Sequence, residues 1–237
     1  MYERIVAGTD LSATAKRATD RAFLLSEKVG AELVLLHAGR DPGAPLEALG
    51  SEYGAQVVAV PGPPVEVLIS ETQRLEGDLL VIGSVGMTGA RRFLLGNVPN
   101  KVSHHAPTDL LIVKTDAEPR FSGLYSTLLV GVDGSPTSMR ALDAASSLAA
   151  TLGIKPAVVC AYEPLADNER DALRADESDA IAQWGASRTV ADTPSEFRWR
   201  IAAATEAEDV LERAVDHAAK FGVEADARAV QGAPAEV

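Results

Sequence analysis

An α/β fold, built twice in tandem around an open parallel sheet, follows from three features of these 237 residues. Short apolar runs alternate with amphipathic stretches of helical period. The runs are apolar throughout rather than at every second residue, as in strands buried on both faces. Finally, residues 5–38 align without a gap with residues 128–161 at an offset of 123, and 11 of the 34 pairs are identical. A repeat covering a whole strand–helix–strand signals two copies of one domain.

In the first copy, strand one covers residues 5–8 and ends in a turn that carries Asp10. Ser12 suits a helix N-cap. Ala15, Ala18, Ala22, Leu25 and Val29 then recur at spacings of three and four, the core stripe of a helix. Gly30 closes that helix as a left-handed cap. Strand two follows at 33–38, a short helix near 46–53, strand three at 56–60 and a helix around 65–75. Strand four, 79–82, runs into a glycine loop, an amphipathic segment at 90–95 and a helix through 100–105. Strand five is 110–113. Right-handed crossovers through this alternation give a Rossmann-like or flavodoxin-like sheet of order 3-2-1-4-5.

The second copy begins alike: a strand at 128–131, Asp133, an N-cap at Ser135, Pro136 at the first helical position, Gly153 as C-cap and a strand at 157–161. Gly62-x-Pro64-x-Glu66-Val67 then matches Gly232-x-Pro234-x-Glu236-Val237 at an offset of 170. The larger offset implies an insertion at about 163–205, including the polar stretch 167–195. A helical run at 206–221 carries Val210, Leu211, Ala214, Val215 and Ala218 on one side. The sequence stops at the counterpart of Val67, so this copy lacks its final strand–loop–helix–strand part. The natural protein is expected to run on, and the first strand of copy two to show an open edge. The expected organisation is a domain at 1–115, a linker at 116–123 and a second domain at 124–237.

Composition limits the function classes. Hydrophobic residues are 46% and charged residues 24%, ordinary for a globular protein. A net charge of −12 argues against a nucleic-acid partner, which needs clustered Lys and Arg. A single cysteine, Cys160, makes no internal disulfide and reads as a small core residue. With no leader-like start and no apolar run near ~20 residues, no membrane partner and a cytoplasmic location are expected.

Gly83, Gly86 and Gly96 stand at G-x2-G-x9-G spacing, and Asn97 follows the last. They leave the carboxyl end of strand four. Asp10 leaves that of strand one, and in a 3-2-1-4-5 order these strands are neighbours at the topological switch point, where open sheets bind ligands. Glycines let backbone N–H groups face phosphate oxygens, so the loop reads as a phosphate cradle. Blander readings stand beside this one. The glycines suit tight turns, Asp10 suits a helix cap, and Arg91 and Arg92 suit either phosphate or solvent. His37 reads as a satisfied core residue rather than a catalyst. His104 and His105 diverge by about 100° on a helix and cannot share a metal. Trp184 and Trp199 read as local packing anchors. No P-loop G-x-x-x-x-G-K-[ST], dinucleotide G-x-G-x-x-G, Ser-Gly-Gly-x-Asp-Ser, H-x-G-H or Gly-x-Ser-x-Gly occurs.

Gly8-Thr9-Asp10-x-Ser12, Leu36-His37-Ala38 and Gly83-x2-Gly86-x9-Gly96-Asn97, in this order, resemble the universal stress protein family of the tandem, ATP-binding kind. The family usually has Ser or Thr where this chain has Asn97. The resemblance implies an ATP site, with or without Mg2+, formed by Gly8, Thr9, Asp10, Ala38, Gly83, Gly86, Met87, Arg92, Gly96, Asn97 and Val98. Asp10 would lie near the ribose or adenine, Ala38 would offer backbone groups to the adenine edge, and the glycines, Asn97 and Val98 would line the triphosphate. No catalytic residue and no dedicated metal ligand is implied. The implied role is that of a nucleotide-dependent sensor or regulator in stress response. Alternatives are a weak ATPase or phosphotransferase, with Asp10 as the one obvious base, or a fold-only scaffold. Family members commonly pair through strand five, so residues 110–113 are expected to meet a second copy or the other domain.

Overall fold

The computed structural model describes residues 2–84, 96–114, 124–162 and 195–232, of which 195–205 by backbone alone. The chain divides into two units, Met1–Leu124 and Tyr125–Val237.

The first unit runs β1 (Arg4–Gly8), α1 (Ala13–Val29), β2 (Glu32–Ala38), α2 (Ala44–Tyr53), β3 (Gln56–Val60), α3 (Pro64–Arg74), β4 (Leu79–Gly83), α4 (Asn97–His105) and β5 (Asp109–Val113). All five strands are parallel, in the order β3-β2-β1-β4-β5. The central strands are apolar on both faces because helices cover both: Ile5, Val6, Leu35, Leu36, Leu80 and Val81 are fully buried. Asp78 fixes the start of β1 beside β4, its Oδ2 accepting from Glu3 N at 2.7 Å and Arg4 N at 2.8 Å.

Ser12 caps α1, its Oγ accepting from Ala15 N at 3.1 Å, and Gly30 ends the helix at φ 74°. The buried face of α1 is Ala15, Ala18, Thr19, Ala22, Leu25 and Ser26, the predicted stripe with two hydroxyls added. Small residues there let the helix sit close to the sheet. On its outer side Tyr53 of α2 donates to Asp20 and accepts from Lys16, and its ring lies 5.2 Å from that of Phe23.

The second unit runs β6 (Leu129–Gly131), α5 (Pro136–Leu152), β7 (Ala157–Tyr162), α6 (Ser195–Ala219) and β8 (Asp226–Gln231), with parallel strands in the order β6-β7-β8. The repeat holds to the residue. Leu129 pairs with Ala157 as Val6 pairs with Val34, and α5 matches the 17 residues of α1. Gly62 and Gly232, after β3 and β8, have φ of 153° and 151°. Leu142, Val158, Ala214 and Ala218 form the centre of the core. Among the described residues β6 pairs with β7 alone, and Leu129 is 69% exposed.

Two predicted boundaries move. α4 starts at Asn97 rather than near 100, because Gly96 adopts an extended N-cap conformation. α6 starts at Ser195 rather than 206, so the end of the expected insertion is helical. The expected segment at 90–95, most of the 163–205 insertion and the 116–123 linker lie outside the described residues.

Candidate functional site

At the carboxyl ends of β1, β2 and β4 the first unit holds a cavity of about 260 Å3. It lies over the switch point between β1 and β4, where the crossovers diverge to opposite faces and leave a crevice. Gly8 and Gly83 end two of its strands, and Ala38 ends the third. Leu36, Leu68, Ile82, Pro64 and Ala15 make an apolar wall, and Thr9, Asp10, Asn97 and Val98 bring polar groups to it. The size is just under the ~300–1,000 Å3 of small-molecule sites.

Gly8 is there for packing. A Cβ at Gly8 would meet Leu68 Cδ2 at 2.7 Å and Ile82 Cγ2 at 3.0 Å, so the glycine lets the apolar wall close over the strand end. Gly96 is different. Its φ of −58° suits any residue, and a Cβ there would meet Ser84 O at 3.4 Å and Pro99 Cδ at 3.5 Å, an ordinary contact. Among the described residues nothing requires glycine at this point of the cavity rim.

α3 and α4 both start at the cavity without a side-chain cap, on Pro63 and Gly96. The first backbone N–H groups of a helix have no intrahelical partner and carry the positive end of its dipole. Pro64 and Pro99 lack an N–H, so in the first turn of α4 Asn97 and Val98 carry the donors nearest the rim. Such ends attract phosphate or carboxylate.

The Asp10 carboxylate faces both ways. Its Oδ1 accepts from Ser12 N at 3.0 Å and Ser12 Oγ at 2.5 Å, an Asx turn that sets up the α1 cap. The same residue lines the cavity. Thr9, 6% exposed, closes the turn from the other side, its N donating to Leu36 O at 2.9 Å and its Oγ1 accepting from Leu11 N at 3.1 Å. His37 Nδ1 lies 3.0 Å from Thr9 O.

The cavity thus brings together Gly8, Thr9, Asp10, Ala38, Gly83, Gly96, Asn97 and Val98 of the residues that the sequence nominates. Gly86, Met87 and Arg92 lie outside the described residues, as do Arg91 and Trp184. Sequence reasoning missed the wall residues Pro64 and Leu68, whose signal was the Gly62-x-Pro64-x-Glu66-Val67 motif already found in the repeat. His37, read as a satisfied core residue rather than a catalyst, is half-buried, and its ring bonds to the Asp10 turn.

Among the described residues no group of three His, Cys, Asp or Glu is arranged to hold a metal ion. No described helix is long and apolar enough to cross a membrane. In the second unit Asp133 is exposed, and the cavity described there lies between α6 and β8 and does not include it.

Comparison with known proteins fits this architecture. Universal stress protein Rv1636 of Mycobacterium tuberculosis is 30% identical over 145 residues, 48% of this chain and 97% of the relative. A universal stress protein crystallised in complex with cAMP is 35% identical, over 48% of this chain and 98% of that one, at a TM-score of 0.41. The fold is similar to that of a universal stress protein from Archaeoglobus fulgidus across 98% of this chain and 80% of that one, with a TM-score of 0.59 and 17% identity. Residues 1–56, 46–114 and 124–215 match the profile of the universal stress protein family, and these segments take in most of both units. The chain belongs to the universal stress protein family.

Proposed function

We propose that the first unit binds an adenine nucleotide, ATP foremost, and that the protein acts in stress response as a nucleotide-dependent regulator rather than by turnover. The observation that carries this reading is the convergence at one switch-point cavity of a carboxylate, two uncapped helix N-termini and an apolar wall. Each suits a different part of the ligand: Asp10 the ribose hydroxyls, the starts of α3 and α4 the phosphates, and Leu36, Leu68 and Ile82 the flat base. Ala38, at the open end of β2, has backbone groups available to an adenine edge. Gly96 adds support, since among the described residues nothing requires a glycine there, and its lack of a side chain leaves room for a close ligand.

Mg2+, where it accompanies the nucleotide, would be carried mainly by the phosphates, as Mg2+ commonly is. The cytoplasm is where ATP and the free, buried Cys160 both belong. The partly exposed β5 edge, Asp109–Val113, suits pairing with a second copy.

Calorimetric titration of the full chain with ATP, ADP and AMP tests the proposal. Saturable binding at one site per chain is the expected result. Gly96→Ala should weaken it about tenfold through the crowded phosphate while leaving the melting temperature within about 1 °C. Absence of heat at millimolar nucleotide would exclude the reading.

A further inference from the structure

The turn that presents Asp10 contains a strained residue. Leu11 has φ 62°, in the left-handed region that a leucine rarely adopts, and such a conformation persists only where its surroundings over-determine it. The second unit shows the relaxed version. The counterpart of Leu11 at the repeat offset is Gly134, φ 78°, which takes this conformation without steric conflict.

A second difference accompanies the first. The counterpart of His37 is Cys160, whose Sγ lies 3.9 Å from the carbonyl of its own neighbour Ala161. In the first unit His37 Nδ1 reaches across 28 residues to Thr9 O at 3.0 Å. A carbonyl only accepts, so Nδ1 must carry the proton. The strained turn is the clamped one; in the relaxed turn the residue at the His37 position, Cys160, makes no such bond among the described residues.

We infer that His37 is a positioning residue of the nucleotide site: its Nδ1–H holds Thr9 O and so keeps the Thr9–Ser12 turn, and with it the Asp10 carboxylate, in the conformation that meets the ligand. The consequence for affinity rests on the nucleotide reading above; the consequence for the turn does not. His37 touches no reacting group and acts only through Thr9. Within the turn Leu11 N donates to Thr9 Oγ1 and Ser12 to Asp10 Oδ1, Ser12 also joins the first turn of α1, and Thr9 N donates to Leu36 O. The imidazole adds a hold on the carbonyl side of Thr9, next to the peptide that leads into Asp10.

The test joins nitrogen-15 NMR of the ring to binding by three variants. In the wild-type protein the neutral ring should carry its proton on Nδ1. His37→Leu should shift the amide signals of Asp10, Leu11 and Ser12 and weaken ATP binding about tenfold, the worth of one well-made hydrogen bond. His37→Asn places an amide N–H where Nδ1–H was and should restore both. Leu11→Gly combined with His37→Leu should also recover most of the affinity, because a glycine needs no clamp. A proton on Nε2, unchanged amides and affinity in His37→Leu, or His37→Asn behaving as His37→Leu would each overturn the inference. Should His37→Leu fail to fold, the wild-type tautomer and His37→Asn decide. A wild-type protein that gives no heat with ATP overturns the nucleotide reading alone, and the tautomer and amide shifts then still decide whether His37 holds the turn.

Discussion

In the first unit Asp10 Oδ1 accepts from Ser12 N at 3.0 Å; in the second Asp133 Oδ1 accepts from Ser135 N at 2.9 Å. Thr9 N reaches Leu36 O at 2.9 Å, and Val132 N reaches Val159 O at 2.8 Å. The two turns are one device used twice, and the aspartate's bond to its own backbone belongs to both. Capping therefore does not distinguish the units. What distinguishes them is the surroundings: a cavity, a strained Leu11 and a bonded His37 in one, an exposed carboxylate, Gly134 and a buried Cys160 in the other. The repeat separates what the fold needs from what the site needs. A similar contrast joins the helices, where Asp20 meets the Tyr53 hydroxyl and its counterpart Asp143 meets His217.

The largest expected effect tests the floor beneath the turns. Leu36 is fully buried and Val159 half-buried at the same strand position. Leu36→Ala should cost about 3 kcal/mol and Val159→Ala about 1, read from hydrogen exchange of β1 and β7 amides so that each unit reports separately. Equal costs would erase the distinction between a finished core and an open one. Next, Asp10→Ala should weaken ATP binding about 10- to 100-fold, the value of a hydrogen bond to a charged group, and Asp133→Ala should leave it unchanged. Equal losses would mean that both units bind.

The smallest effect is acid-dependent. The Ser135 hydroxyl, with the Ser135 N–H and the Ser138 hydroxyl, holds the Asp133 carboxyl down at about 2. Its folded value lies below the ordinary ~3.9 of a free Asp. The stabilisation is therefore present above about pH 4 and lost as pH falls through about 2. A carbon-13 titration of the carboxyl checks the value, and Asp133→Asn, which keeps an acceptor without the charge, should remove that pH dependence.

Much of this was written in the chain. Near-continuous apolar runs such as Leu33–Leu36 fitted doubly covered strands, and the order β3-β2-β1-β4-β5 followed from their alternation with helices. Ser12, Ser135, Gly30 and Gly153 marked their caps by chemistry that acts over three or four residues. Interactions that span the fold were not legible. His37 sits in a strand pattern, and its partner Thr9 is 28 positions away. Leu11 looks like any leucine, and only Gly134 at the repeat offset betrays a turn that favours glycine. The early start of α6 did leave a trace, the capping-box pattern Thr193-Pro-Ser-Glu196, hidden in a stretch otherwise read as polar insertion.

The central claim is that only the first of two homologous turns faces a nucleotide. Titrating ATP into the nitrogen-15-labelled full chain while following backbone amides tests it residue by residue. Saturable shifts confined, among the described residues, to Thr9–Ser12, Ala38–Gly39, Gly83–Ser84 and Gly96–Val98 are the predicted result. Shifts of equal size at Val132–Ser135, or none at Thr9–Ser12, would contradict it.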